Sequence, residues 1–420
     1  MKYTSRVLHL LFALITLAGM ASAQRDGFYL KDGDRVVFYG DSITEQQLYT
    51  TFIETFVVTR WPGLDITFVN AGWSGDRVSG GRGGSIDLRL KRDVIAYHPT
   101  VVTIMLGMND GDVKPYDPTL FNTFATGYRR IVERLKDAQP GLRLTLIRPS
   151  PYDDVTREAG FDGGYNSVLV RYGDFVEELA RQTKLDLADL NKTVVAALAK
   201  ANDIDANLAK RIIPDRVHPG PGGHLLMAQA LLKAWNAPAI VTAVEIDAAT
   251  ARVVKAENSK VSELINEGGL SWIQSDRALP MFLDMKDPAL ALAVQSSDVV
   301  ETLNQQQLTV TGLPAPSYTL KIDDETISTF TKESLTKGVN LATLATPMMK
   351  QAQAVHLFTL EHNGIHRVRW REIQVPLQDE RSAVVQKALD ALSLLEAELI
   401  RKQRAMAKPR PHRFQLIPQP

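Results

Sequence analysis

Five residues of this sequence are of types that together can cleave an ester: Ser42, Gly72, Asn109, Asp215 and His218. Ester hydrolysis needs a nucleophile, a base, an acid that orients the base, and donors for the developing oxyanion. Ser42 can attack. His218 can take its proton and return it to the leaving alcohol. Asp215, three residues before His218, can fix the histidine tautomer and stabilise the imidazolium. The oxyanion hole is expected from the N–H groups of Ser42 and Gly72 and the side-chain amide of Asn109. Each residue also has a plainer reading. Asp41 and Ser42 suit a helix N-cap, and Asn109 suits a turn. Asp215, His218 and His224 could instead bind a metal, but their spacing matches no zinc signature and leaves Ser42 and Asn109 unexplained. We therefore expect no metal. Ser74 is a rival nucleophile, yet Gly72-Trp73-Ser74-Gly75-Asp76 misses the G-x-S-x-G elbow at its last residue. His224 reads as a surface or helix-start histidine.

The elements that must hold these residues alternate in type. Apolar runs predict strands over 36–39, 66–69, 101–106, 142–147 and 185–187. Helical patterns lie between them over 45–60, 86–97, 120–138, 165–183 and 193–200, with a last helix over 223–235. Such alternation with continuous apolar strands predicts a parallel sheet covered on both faces. Ligands of such a sheet bind beyond the carboxyl ends of its strands. Those ends carry Gly40-Asp41-Ser42, Asn70-Ala71-Gly72 and Gly107-Met108-Asn109-Asp110, and Asp215-Arg216-Val217-His218 precedes the last helix. Small, polar and ionisable residues thus collect on one edge.

These four blocks, in this order, resemble the SGNH hydrolases, the GDSL-type esterase/lipase family. The resemblance covers about half the chain, roughly residues 35–236. Ile43 stands where the family name has leucine, and Glu45-Gln46 where many members have a glycine. It implies a flavodoxin-like three-layer α/β/α fold and serine-based acyl hydrolysis without a cofactor.

Lys plus Arg and Asp plus Glu both number 48, so nothing in the charge balance calls for nucleic acid or an anionic membrane. The absence of cysteine excludes thiol catalysis, cysteine zinc sites and iron–sulfur clusters. Lys2 and Arg6, a mostly apolar 7–18 stretch and Ala21-Ser22-Ala23 form a signal-peptide pattern. Cleavage after Ala23 would release a secreted or periplasmic protein, with no membrane span remaining. The expected divisions are a leader at 1–23, a catalytic domain at 24–238, a β-rich and helical accessory region at 239–406, and a disordered basic, Pro-rich tail at 407–420.

A polar, aromatic-edged mouth is expected from Trp73, Arg77, Tyr152, Asp153 and Tyr165, which suits a sugar. The reading is an exported esterase that deacetylates carbohydrate, its partner a small-molecule or oligosaccharide ester. A carbohydrate- or cell-wall-binding protein on a hydrolase fold, an acyltransferase and a lipid esterase are the alternatives. After residue 238 a small antiparallel sheet and helices over 346–360 and 379–405 are expected. No catalytic constellation is apparent there.

Overall fold

Val36, Val37, Phe38 and Tyr39 are all buried, so strand β1 (Arg35–Gly40) has no face for water. That pattern belongs inside a parallel sheet. β1 pairs in parallel with β2 (Thr67–Asn70) on one side and β3 (Val101–Met105) on the other. β4 (Arg143–Ile147) and β5 (Asp186–Ala188) complete the order β2-β1-β3-β4-β5. The computed structural model describes residues 27–380 and 382–419, and the expected leader at 1–23 lies outside them.

The helices of this half that bear on the site are α1 (Ser42–Glu45), α2 (Leu48–Arg60), α3 (Pro118–Ala138), α4 (Gly164–Thr183), α5 (Leu190–Ile204) and α6 (Pro221–Ala234). α3 shows why they form. Asp117 caps it by accepting from Thr119 N at 2.7 Å, and Pro118 occupies the first position, where no amide hydrogen is needed. Phe124, Tyr128, Ile131 and Leu135 then recur on one buried stripe. α6 packs on both α2 and α5, and α3 packs on α4. The sheet lies between helical layers, as the three-layer expectation requires.

Two expected helices are broken. The pattern over 45–60 splits at Gln47, which has a left-handed φ of 65°. Thr44 O accepts there from both Gln47 N (3.0 Å) and Asn70 Nδ2 (2.7 Å), and α1 stops after one turn. The pattern over 86–97 becomes a turn of α-helix (Ile86–Arg89), a π turn (Leu90–Val94) and a 3₁₀ turn (Ile95–Tyr97). The ladder widens beside Arg89, which is fully buried and paired with both Asp76 and Asp93. It stops at His98, just before Pro99.

The second half adds two sheets and two long helices. One sheet has four strands: β6 (Ile240–Asp247), β7 (Arg252–Glu257), β10 (Gln305–Thr311) and β13 (Val339–Asn340). Its order is β13-β10-β6-β7, and β6 and β10 run parallel. The other has five antiparallel strands in the order β8-β9-β14-β11-β12: β8 (Ser259–Asn266), β9 (Leu270–Asp276), β11 (Ser317–Ile322), β12 (Glu325–Thr331) and β14 (Pro411–Gln419). The 407–420 stretch is therefore a correction. It is mostly the central strand of a sheet, because His412, Phe414 and Leu416 alternate inward and are buried. Composition alone suggested disorder, and the period-2 pattern decides against it.

The packing does not divide at 238. Met281, Leu283, Leu290, Leu292, Val299 and Leu303 belong to the same core as β1 and β3. Arg60 joins the halves by donating to Pro238 O (3.2 Å), Ile240 O (2.7 Å) and Leu303 O (2.7 Å), and burial pushes its pKa down to about 9. Helices α7 (Pro347–Arg367) and α8 (Ala383–Met406) pack on each other, and α7 packs on α2. Among the described residues no helix is long and apolar enough to cross a membrane.

Candidate active site

β1 delivers Ser42 through a turn that only small residues permit. A Cβ on Gly40 would stand 2.2 Å from Thr44 Oγ1 and 2.8 Å from Met105 O. Asp41 caps α1 by accepting from Ile43 N at 3.0 Å. Burial raises its carboxyl to about 7, with the nearby carboxylates of Asp110 and Asp76 adding to the rise. Ser42 is the first residue of α1, so its N–H has no intrahelical partner.

Ser42 Oγ lies 2.9 Å from His218 Nε2, and His218 Nδ1 lies 2.7 Å from Asp215 Oδ2. A carboxylate can only accept, so Nδ1 carries the hydrogen and Nε2 is left to accept from the serine hydroxyl. Burial favours protonation of Asp215. The bonds it accepts from His218 N and ring and from Val217 N outweigh burial and hold it below the usual carboxylate value. Asp215 therefore stays charged beside the imidazole.

The loop bearing Asp215 is clamped from the side. Arg216 has φ 74°, an unfavourable conformation for a residue with a side chain. Its carbonyl accepts from Asp153 N at 2.9 Å. Arg157 donates to Lys210 O (3.1 Å), Ile213 O (3.1 Å) and Pro214 O (2.8 Å), and is itself held by Asp153 Oδ2 at 2.6 Å. Asp153 is fully buried and also accepts from Val155 N and Thr156 N. It was expected to touch substrate, and instead it ties down the loop that carries Asp215 and His218.

Two more mouth residues are corrected in the same way. Tyr165 is 1% exposed and donates to Met108 O at 2.7 Å, which fixes the turn carrying Asn109. Trp73 is 3% exposed and covered by cations: Arg89 Cζ lies 4.9 Å and Arg371 Cζ 3.1 Å from its ring. Neither ring offers a face to a sugar. Tyr152 remains half-buried at the rim, edge-on to Tyr165. Arg77 is engaged by Asp112 at 2.5 Å.

Gly72 has a different use from the expected one. Its N–H donates to Asn70 Oδ1 at 3.0 Å, so it is not free for an oxyanion. A Cβ there would stand 2.2 Å from Glu45 N. The glycine lets two loops touch. Three residues on, Gly75 has φ 76° and an N–H with no acceptor among the described residues. Asn109 Nδ2 donates to Asp76 O (3.0 Å), beside Gly75, and keeps a second hydrogen. The motif held two glycines, and only backbone geometry separates their roles. His224 stands in the first turn of α6, as the helix-start reading has it, but it is not at the surface. It is fully buried, accepts from Tyr49 N through Nδ1 (3.2 Å) and donates through Nε2 to Gln46 Oε1 (3.0 Å). Burial drives its pKa down to about 3, so it stays neutral.

Residues 38–226 match the GDSL-like Lipase/Acylhydrolase family. An acetylxylan esterase of Geobacillus stearothermophilus is 26% identical over 220 residues, which is 48% of this chain and 93% of that protein. Over nearly the whole length, the chain is similar to the structure of a gut microbial diltiazem-metabolizing enzyme. That likeness has 26% identity and a TM-score of 0.81, and covers 93% of this chain and 98% of the other.

Proposed function

We propose that this chain, an ester-hydrolysing enzyme by virtue of the GDSL-like lipase/acylhydrolase domain at residues 38–226, is an exported serine esterase that removes acetyl groups from carbohydrate. The observation that carries the mechanism is the hydrogen-bonded series Ser42–His218–Asp215, with spacings of 2.9 and 2.7 Å. Ser42 Oγ attacks the acetyl carbonyl while its proton passes to His218 Nε2. The carbonyl oxygen becomes an oxyanion facing the N–H groups of Ser42 and Gly75 and the free hydrogen of Asn109 Nδ2. Collapse of this intermediate breaks the bond to the sugar oxygen, which takes the proton from His218. Water, deprotonated by His218, then attacks the acyl-serine, and acetate leaves with Ser42 restored. Asp215 keeps Nδ1 protonated throughout. Tyr152 is the aromatic residue at the rim that a sugar ring can meet.

The acetylxylan esterase relative supports acetate as the acyl group and a saccharide as the alcohol. The structure similar over nearly the whole chain is that of a diltiazem-metabolizing enzyme, which makes diltiazem a second candidate substrate to assay. The basic start, apolar run and Ala21-Ser22-Ala23 support export, with the mature chain beginning at Gln24.

The test is acetate release from a panel of acetylated xylan fragments, acetylated pectin fragments, diltiazem and long-chain aryl esters, by the wild type and Ser42→Ala. Ser42-dependent release from the acetylated sugars is expected. Faster turnover of the long-chain esters would overturn the substrate assignment, and undiminished activity in Ser42→Ala would overturn the nucleophile.

A further inference from the structure

One cation reaches the nucleophile's rim from far along the chain. Arg371 stands in the π turn Val368–Gln374 and lies on the ring of Trp73, with Cζ 3.1 Å from the centroid. Trp73 N donates to Gly40 O, two residues before Ser42. Arg371 Nε is 3.5 Å from Glu45 Oε1, and the other oxygen of Glu45 accepts from Ser74 N at 2.8 Å. Glu45 ends the single helical turn that begins with Ser42. The guanidinium is thus one turn from the nucleophile and against the loop that carries Gly75.

Its charge is only partly answered. The side chain is 24% exposed, and burial lowers its pKa. Glu45 meets one edge and shares its carboxylate with Ser74 N–H. Glu372, the next residue in the chain, pairs with Arg367 at 3.1 Å. The terminal nitrogens Nη1 and Nη2 have no acceptor among the described residues. The Trp73 ring sets the plane of the group, Glu45 stands beside Nε as an ion-pair partner without a hydrogen bond, and both terminal nitrogens of the rigid fork are left unused. Such a fork matches the two oxygens of a carboxylate, and a half-desolvated cation gains most from an anion.

We propose that Arg371 binds a carboxylate of the substrate, so that the preferred ester is an O-acetyl group on a carboxylate-bearing sugar such as a uronic acid. This rests on the deacetylase reading above and narrows it. Trp73 orients Arg371 and does not itself stack on the sugar.

The test compares acetate release from mono-O-acetylated galacturonic acid and from its primary amide, which are close in shape but differ in charge and in one acceptor oxygen replaced by a donor. Wild type, Arg371→Ala and Arg371→Lys are each assayed on both. Wild type should favour the acid by about 10- to 100-fold in kcat/KM, mainly through KM, the range for one charged hydrogen-bonded contact. Arg371→Ala should lose that preference, and Arg371→Lys should recover part of it. The acid-to-amide ratio is taken on one preparation, so it does not depend on how much of a variant folds. A wild-type ratio near one, or a wild-type ratio retained in Arg371→Ala, overturns the proposal. Acetate released equally from both compounds overturns only this inference. Release from neither, nor from any acetylated sugar of the panel, overturns the deacetylase reading with it.

Discussion

Two histidine–carboxylate pairs lie at opposite extremes of this molecule. At the rim, His218 and Asp215 are 2.7 Å apart, with side chains 38% and 56% exposed. Between the two halves, His362 of α7 and Glu54 of α2 are 2.6 Å apart, with side chains 2% and 5% exposed. The chemistry of the two pairs is nearly the same, but their surroundings differ. Glu54 also accepts from Gln403 Nε2 of α8 (2.8 Å) and Asn363 Nδ2 (3.3 Å), so its carboxylate is held by amides, while His362 Nδ1 is buried and faces no partner among the described residues. The second nitrogen of His218 instead faces a hydroxyl that can lose its proton and attack. A histidine–carboxylate pair is therefore not a site in itself. The group that the imidazole's other nitrogen faces makes it one, and a buried pair that faces no such group serves as a fastening.

The largest expected effect breaks the rim pair. His218→Ala should lower kcat by about six orders of magnitude, as when one member of a triad is removed. Steady-state hydrolysis and labelling of Ser42 by a fluorophosphonate check it. Turnover within a hundredfold of wild type would mean that the base lies elsewhere.

A smaller loss is expected one layer behind. Arg157→Ala releases the carbonyls of Lys210, Ile213 and Pro214, and should cost about 10- to 100-fold in kcat through misplacement of Asp215, while KM holds. Arg157→Lys should restore only part of kcat, since one ammonium cannot reach three carbonyls in a fixed plane. A change in KM with intact kcat would assign Arg157 to the substrate instead.

The buried pair should answer in stability. His362→Gln leaves Glu54 short of its cationic partner and should cost about 3–5 kcal/mol in unfolding free energy, with kcat of the folded enzyme unaffected. Burial alone lowers the His362 pKa, but Glu54 outweighs it and raises the value above that of a free histidine, with Glu396 adding and Arg404 opposing. A raised histidine pKa means that folding favours the protonated form. The contribution is full below the unfolded value, near 6.5, and is lost as pH rises through the folded value. The gap in melting temperature between wild type and His362→Gln should thus be widest at mildly acidic pH and shrink as the solution becomes alkaline. A gap that does not change with pH would show the pair to be neutral.

The sequence made the catalytic half legible because its signals are local. An apolar strand, a small turn and a capping Asp-Ser are readable wherever they stand, and so are Asp215 and His218 three residues apart. What escaped depends on burial. Asp153 and Tyr165 are residue types that sugars use, and the same polarity serves a loop that must satisfy buried backbone groups. Gly72 and Gly75 differ only in backbone geometry and neighbours. Arg371 is more than 300 residues from Ser42 in sequence, and no spacing rule spans that distance. The strand at 411–419 carries its period-2 alternation openly, but its prolines and basic residues have the composition of a disordered tail.

The place of that strand bears on how the chain is assembled. β14 lies between β9 and β11, and Arg413 N reaches back to Asp323 Oδ1 across 90 residues of sequence. On the ribosome, β9 and β11 emerge well before the strand that joins them, each with an unpaired edge. Such edges are templates for pairing with other chains. Closure of this sheet is a late, long-range event, and loops of that length close slowly. Meanwhile the parallel sheet waits for Met281 to Leu303 before its own core is filled. Neither half is finished until much of the other has been made, so the nascent chain stays open for most of its synthesis.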